Sequence, residues 1–180
     1  GIAKAEDYFS KEMGIEVEIK QFDSGKDINT ALASGSIDFG LAGSCPASLA
    51  ISQDFGVKVI WIHEVLGPVE SLVARKDTGI TKVEDLKGKT VATPFASTGH
   101  FSLLHAIENA GLSESDINLL DMQPSEIYAA WENGQIDAAY VWEPTLILAM
   151  LRTLWFVPWQ KKAVSECRHS LAIWRGPVLS

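Results

Sequence analysis

Thr93-Pro94-Phe95-Ala96-Ser97-Thr98-Gly99-His100 decides how this chain is read, because an apolar strand at 89–93 ends there and a helical pattern at 99–109 begins. A strand passing through small hydroxyl residues into a helix is the signature of an α/β unit. Ser97 or Thr98 can cap the helix, and its unpaired N–H groups and positive dipole end then face whatever lies above the sheet. That makes an oxoanion site; the same residues serve equally as a cap that satisfies only its own helix.

Outward from this junction the pattern recurs. Downstream, 117–120 reads as a strand, 124–132 as a helix and 136–141 as a strand. Upstream, 83–86 reads as a short helix, while 17–22, 37–42, 57–65 and 69–75 read as strands, with helices at 26–33 and 46–53. The alternation predicts parallel sheets covered by helices, in two runs joined near 75–81. The expected fold is therefore α/β with two lobes: lobe I at 1–76, lobe II at 77–146, and a cleft between them. Ligands of such sheets sit beyond the carboxyl ends of the strands, which singles out the loops at 43–46, 93–99, 122–124 and 142–144.

The composition sets limits. The chain has 180 residues, 47% of them hydrophobic and 21% charged, with a net charge of −8. This is globular composition, and it gives no broad basic surface for a nucleic acid. Residues 1–146 hold 10 Lys and Arg against 22 Asp and Glu, whereas 147–180 hold 5 against 1 and include Trp155, Trp159 and Trp174. The tail is thus a separate compositional segment, and its apolar runs are too short for a bilayer span of about 20 residues. Cys45 and Cys167 form no CxxC or Cys/His metal spacing. His63 has no partner at metalloprotease spacing, and His100 and His105, five apart, point to different faces of a helix.

Several residues could carry binding. Gly43-Ser44-Cys45-Pro46 is a second hydroxyl-bearing strand-to-helix turn, so two helix N-termini could grip one anion across the cleft. Ser44 is otherwise an ordinary cap, and Cys45 would need a nearby base to act as a nucleophile. His100, in the first turn of its helix, either donates to a ligand or plays a structural part. Glu70 heads an apolar strand; it either faces solvent or meets a cation in the cleft. Trp142 at a strand's carboxyl end could wall a pocket or stack on an ammonium group. Trp131, in register with Ile127 and Tyr128, reads as core.

Taken together, Phe22-Asp23-Ser24-Gly25, Ala31-Leu32-Ala33-Ser34-Gly35, Gly43-Ser44-Cys45-Pro46, Pro94–Leu104, Gln123-Pro124 and Ala139-Tyr140-Val141-Trp142-Glu143-Pro144 resemble the taurine-binding proteins of bacterial ABC importers. The resemblance implies a type II periplasmic-binding fold, two lobes on a hinge that close over an aminoalkane sulfonate. It implies that Ser44, Ser97 and Thr98 hold the sulfonate and Glu70 meets the ammonium, with Gln123 and Trp142 completing the wall. The family commonly has Ser where Cys45 stands. It further implies a monomeric periplasmic receptor, not an enzyme, that needs no cofactor and delivers its ligand to a membrane permease.

Family members carry a strand and a ligand-contacting loop ahead of the helix expected at 1–13, so the first lobe is expected to be incomplete. Residues 147–180 match none of the family's later segments and read as sequence from another frame or another origin. Two further classes share this architecture. Pyrimidine-precursor synthases of the thiamine pathway would require a Cys/His arrangement, and effector domains of transcription regulators would require a helix-turn-helix.

Overall fold

The structure, a computed structural model, describes residues 2–65, 69–156 and 169–175. Two short helices come first, α1 (Ile2–Ala5) and α2 (Tyr8–Met13), followed by α3 (Gly25–Ser34), β1 (Phe39–Gly43), α4 (Ser44–Ser52) and β2 (Val57–Val65). Next come β3 (Glu70–Arg75), β4 (Thr90–Thr93), α5 (Thr98–Asn109), β5 (Asn118–Asp121), α6 (Pro124–Glu132), β6 (Ala138–Trp142), α7 (Thr145–Thr153), β7 (Leu154–Phe156) and β8 (His169–Arg175).

The strands form two sheets, ordered β1-β8-β2 and β5-β4-β6-β3-β7. Neither is purely parallel, contrary to expectation. In the larger sheet β4 runs parallel to β5 and β6, but β3 is antiparallel to β6 and β7. In the smaller sheet β8 is antiparallel to both its neighbours. The chain crosses from the first sheet to the second between β2 and β3 and returns between β7 and β8. β3, read from sequence as the end of lobe I, hydrogen-bonds with β6 of the second sheet. β8, from a segment in which no family element was legible, lies in the middle of the first.

Side-chain alternation explains why the larger sheet is stable. Leu72, Ala74, Val91, Ala138 and Tyr140 pack on one face with Leu103, Ala106 and Ile107 of α5. Val73, Ala92, Ala139 and Val141 pack on the other with Ile127, Ala130 and Trp131 of α6 and Leu146 and Ala149 of α7. Successive residues of each strand thus enter opposite cores, as a sheet covered on both faces requires. Trp131 is core, as its helical register indicates. The first lobe has a smaller core of Leu32, Ala42, Ala47, Ala50, Val57 and Ile173.

Three local expectations fail for identifiable reasons. Residues 17–22 alternate like a strand, yet no described strand pairs with them, and an extended segment without a ladder partner has no regular structure to join. The Val17 N–H donates instead to Ser10 Oγ at 3.1 Å. The helix expected at 1–13 is broken at Asp7, which adopts the left-handed conformation (φ 51°) that Asp tolerates better than most residues. The strand expected at 37–42 is displaced to Phe39–Gly43.

Candidate functional site

Three helix N-termini meet at the junction of the lobes. Ser24 caps α3, its Oγ accepting the Asp27 N–H at 3.4 Å. Gly25 lies so close to α4 that a Cβ there would stand 2.5 Å from Pro46 Cγ, and Asn29 Nδ2 donates to the Pro46 carbonyl at 2.8 Å. The starts of α3 and α4 are therefore locked side by side. From the other lobe α5 arrives with Ser97 as its cap. The Ser97 hydroxyl accepts the His100 N–H at 3.0 Å and donates to the Pro94 carbonyl.

The loop before α5 is held in an unusual shape. Ala96 has φ 59°, a conformation that costs an L-residue roughly 1–2 kcal/mol. Its neighbours hold it there. The Phe95 N–H donates to Asp121 Oδ1 at 2.8 Å, the Ala96 N–H to His100 Nδ1 at 3.3 Å, and the Phe95 ring stacks on the His100 imidazole with centroids 4.3 Å apart. An Nδ1 that accepts carries no proton. Burial pushes the His100 pKa below its ordinary value, opposed by the charges of Glu114 and Asp121. His100 is a buttress of the loop.

The cleft between the lobes has a volume of about 360 Å³ and is lined by Phe22, Ser24, Gly43, Ser97, Thr98 and Trp142, among others, together with the acidic residues Asp23, Glu64, Glu70 and Glu143. No described Lys, Arg or His lines it. A shallower depression of similar volume lies outside the cleft at 7–16 and has no comparable grouping of helix ends. Glu70 and Trp142 are directly opposed across the β3–β6 ladder, so their side chains share a face. Glu70 is only 7% exposed, and its Oε1 accepts the Thr98 hydroxyl at 2.5 Å. Gly43 approaches Thr98 across the cleft so closely that a Cβ there would lie 2.8 Å from Thr98 Cγ2.

Of the residues singled out from sequence, Glu70, Ser97, Thr98 and Trp142 thus come together at the cleft. Ser44 and Cys45 open α4 but are not among its lining residues; the backbone of Gly43 fills that part of the wall. Gln123 caps α6, its N–H donating to Glu126 Oε2 at 2.7 Å, and it is not among the lining residues of the cleft. Asp23, Ser24, Glu64 and Glu143 line the cleft and were not identified as site residues. Ser24 had a usable signal, since it precedes α3 as Ser97 precedes α5. Two polar contacts also bridge the lobes: Lys26 Nζ to Asp121 Oδ2 at 3.4 Å, and the Ser125 hydroxyl to Asp23 Oδ2 at 3.2 Å. Among the described residues, no group of three His, Cys, Asp or Glu could hold a metal ion, and no helix is long and apolar enough to cross a membrane.

The chain is similar to known proteins over most of its length. It is 43% identical over 145 residues to the taurine-binding periplasmic protein of Escherichia coli K12, an alignment covering 81% of this chain and 45% of that protein. To a putative aliphatic sulfonates-binding protein of Bacillus subtilis it is 33% identical over 147 residues, 82% of this chain and 44% of the other. It spans about half the length of these relatives. Among solved structures, the alkanesulfonate-binding protein SsuA from Xanthomonas axonopodis pv. citri bound to MOPS superposes with a TM-score of 0.87 at 25% identity, over 96% of this chain and 60% of that one. The fold is that of a type II periplasmic binding protein, represented here in part. The family description NMT1/THI5 like matches residues 2–155, and the chain belongs to that family.

Proposed function

We propose that this chain is the ligand-gripping part of a periplasmic solute receptor that binds taurine or a related aminoalkane sulfonate and passes it to an ABC permease. The observation that carries this reading is the pairing, in one cleft, of the N-terminal ends of α3 and α5 with the buried carboxylate of Glu70. Helix ends attract the sulfonate, and a carboxylate held out of water favours an ammonium partner. Trp142, beside Glu70 on the same face, offers its ring to the same cation. The matched relatives are named as binding proteins, which supports a receptor that performs no chemistry on its ligand.

Thermal melts and titration calorimetry with taurine and with ethanesulfonate test the proposal. Taurine at 100 times its Kd stabilises the fold by about 2.7 kcal/mol, and ethanesulfonate, lacking the amine, binds at least tenfold more weakly. Equal affinity for the two ligands removes the role given to Glu70, and no shift with millimolar taurine removes the proposal.

A further inference from the structure

We propose that Glu70 holds the Thr98 hydroxyl in reserve, so that this donor becomes available to the anionic end of a ligand only when a cationic end has occupied the carboxylate. The inference rests on the aminosulfonate reading of the cleft and adds a coupling between its two ends. Both side chains are buried, Thr98 at 5% and Glu70 at 7% exposure, and the Thr98 hydroxyl donates to Glu70 Oε1 at 2.5 Å. A threonine hydroxyl has one proton. While that proton points at Glu70, the oxygen presents only lone pairs elsewhere, and these repel a sulfonate. Thr98 is also the first residue of α5, where helix geometry leaves the first main-chain N–H groups without an intrahelical acceptor. Gly43 approaches Thr98 so closely that an added Cβ would lie 2.8 Å from Cγ2, and rotation about the C–O bond redirects the hydroxyl proton without moving the rest of the side chain.

The consequence is selective. An ammonium group that reaches Glu70 takes over the hydrogen bond to Oε1, and the Thr98 proton turns toward the sulfonate of the same molecule. A ligand without the amine leaves Thr98 committed and forgoes one donor. Glu70 is then a positioning residue for Thr98 as well as a partner for the cation, and the cleft reads the two ends of its ligand jointly.

A mutant cycle on the full chain tests this, with taurine and ethanesulfonate titrated calorimetrically into the unaltered protein, Thr98→Val, Glu70→Gln and the double variant. Thr98→Val weakens taurine about five- to tenfold, the size of one hydrogen bond, and leaves ethanesulfonate within about twofold. In the Glu70→Gln background, where the hydroxyl is released, the same substitution weakens ethanesulfonate about five- to tenfold. Thr98→Ser, which keeps the hydroxyl, retains taurine affinity within about threefold. An equal loss for both ligands on Thr98→Val, or no dependence of the ethanesulfonate effect on residue 70, overturns the coupling while leaving the receptor reading standing. Loss of taurine affinity in Thr98→Ser equal to that in Thr98→Val also overturns it, because the role is then packing by Cγ2. Failure of the unaltered chain to bind taurine overturns both.

Discussion

Gly43→Ala is the most direct probe of whether the two lobes close on each other as the structure has them. The added Cβ would stand 2.8 Å from Thr98 Cγ2 and 3.4 Å from Thr98 Oγ1. Carbon atoms prefer about 3.5–4.0 Å, so the lobes must separate by several tenths of an ångström. Backbone strain does not contribute, because Gly43 has φ −63° and ψ 161°, extended values that alanine adopts freely. In the empty protein the separation strains the exposed Lys26–Asp121 and Ser125–Asp23 contacts, each worth about 1 kcal/mol or less. The melting temperature should therefore fall by no more than about 4–8 °C. In the ligand-bound form the same separation opposes closure, and the usual 1–3 kcal/mol for overpacking weakens taurine binding about five- to 150-fold. Calorimetric titration of both proteins, with unliganded melts alongside, measures the two effects separately. Adding Thr98→Ser removes the struck methyl and should restore most of the affinity. Unchanged affinity in Gly43→Ala, or a melting temperature lowered by more than about 10 °C, refutes the reasoning, since the contact is then either irrelevant to closure or part of a rigid core.

Two further outcomes follow from the same geometry. Ser97→Ala removes the cap of α5 and should cost about 1 kcal/mol, or roughly 2–4 °C in melting temperature, and it should weaken anion binding because the strained loop at Ala96 loses its anchor; a melt and a taurine titration that both match the unaltered protein count against it. The Asp116 carboxyl is pulled down to about 2 by hydrogen bonds from the Ser113 hydroxyl and amide, and then by Lys87. Its folded value lies below its unfolded one, so its contribution is complete above about pH 4 and is lost as pH falls toward 2. Urea midpoints of Asp116→Asn should therefore vary less than those of the parent between pH 5 and 2.5, and parallel curves would show that the Ser113 contacts do not persist in solution.

The second lobe was the more legible of the two. Residues 99–109, 117–120, 124–132 and 136–141 lie within two residues of α5, β5, α6 and β6, because β6, buried on both faces, writes an apolar run and a capped helix writes its own start. Strand direction was not legible. Nothing local tells β3 that it will lie antiparallel to β6, or that residues as distant as 169–175 will separate β1 from β2; those pairings are settled by contacts far apart in sequence. The expected strand at 17–22 fails for the same reason, since alternation is necessary for a strand but pairing completes it. At the site, Ser97 and Thr98 were legible because capping is a local interaction. Which atom of the 43–46 turn would face the cleft was not, because the contact of Gly43 with Thr98 is tertiary. Asp23, Glu64 and Glu143 look in sequence like any solvated carboxylate.

Those carboxylates alter how an anion can be held in this cleft. A helix end contributes typically 0.3–1 kcal/mol toward a negative charge, and up to about 2 in partly buried geometry. Asp23, Glu64, Glu70 and Glu143 line the same space, no described basic side chain does, and the whole chain carries −8. A unit charge at a protein surface acts on another 4 Å away with about 4 kcal/mol, so even one nearby carboxylate rivals the attraction of two helix ends. A ligand with only a sulfonate therefore meets a nearly balanced or unfavourable field. A ligand that also carries an ammonium turns the carboxylate at Glu70 from a cost into an attraction. Under the proposed aminosulfonate reading, selectivity for zwitterions then requires no dedicated exclusion of simple anions: the acidic lining itself disfavours them, and the helix ends set the polarity with which the zwitterion enters.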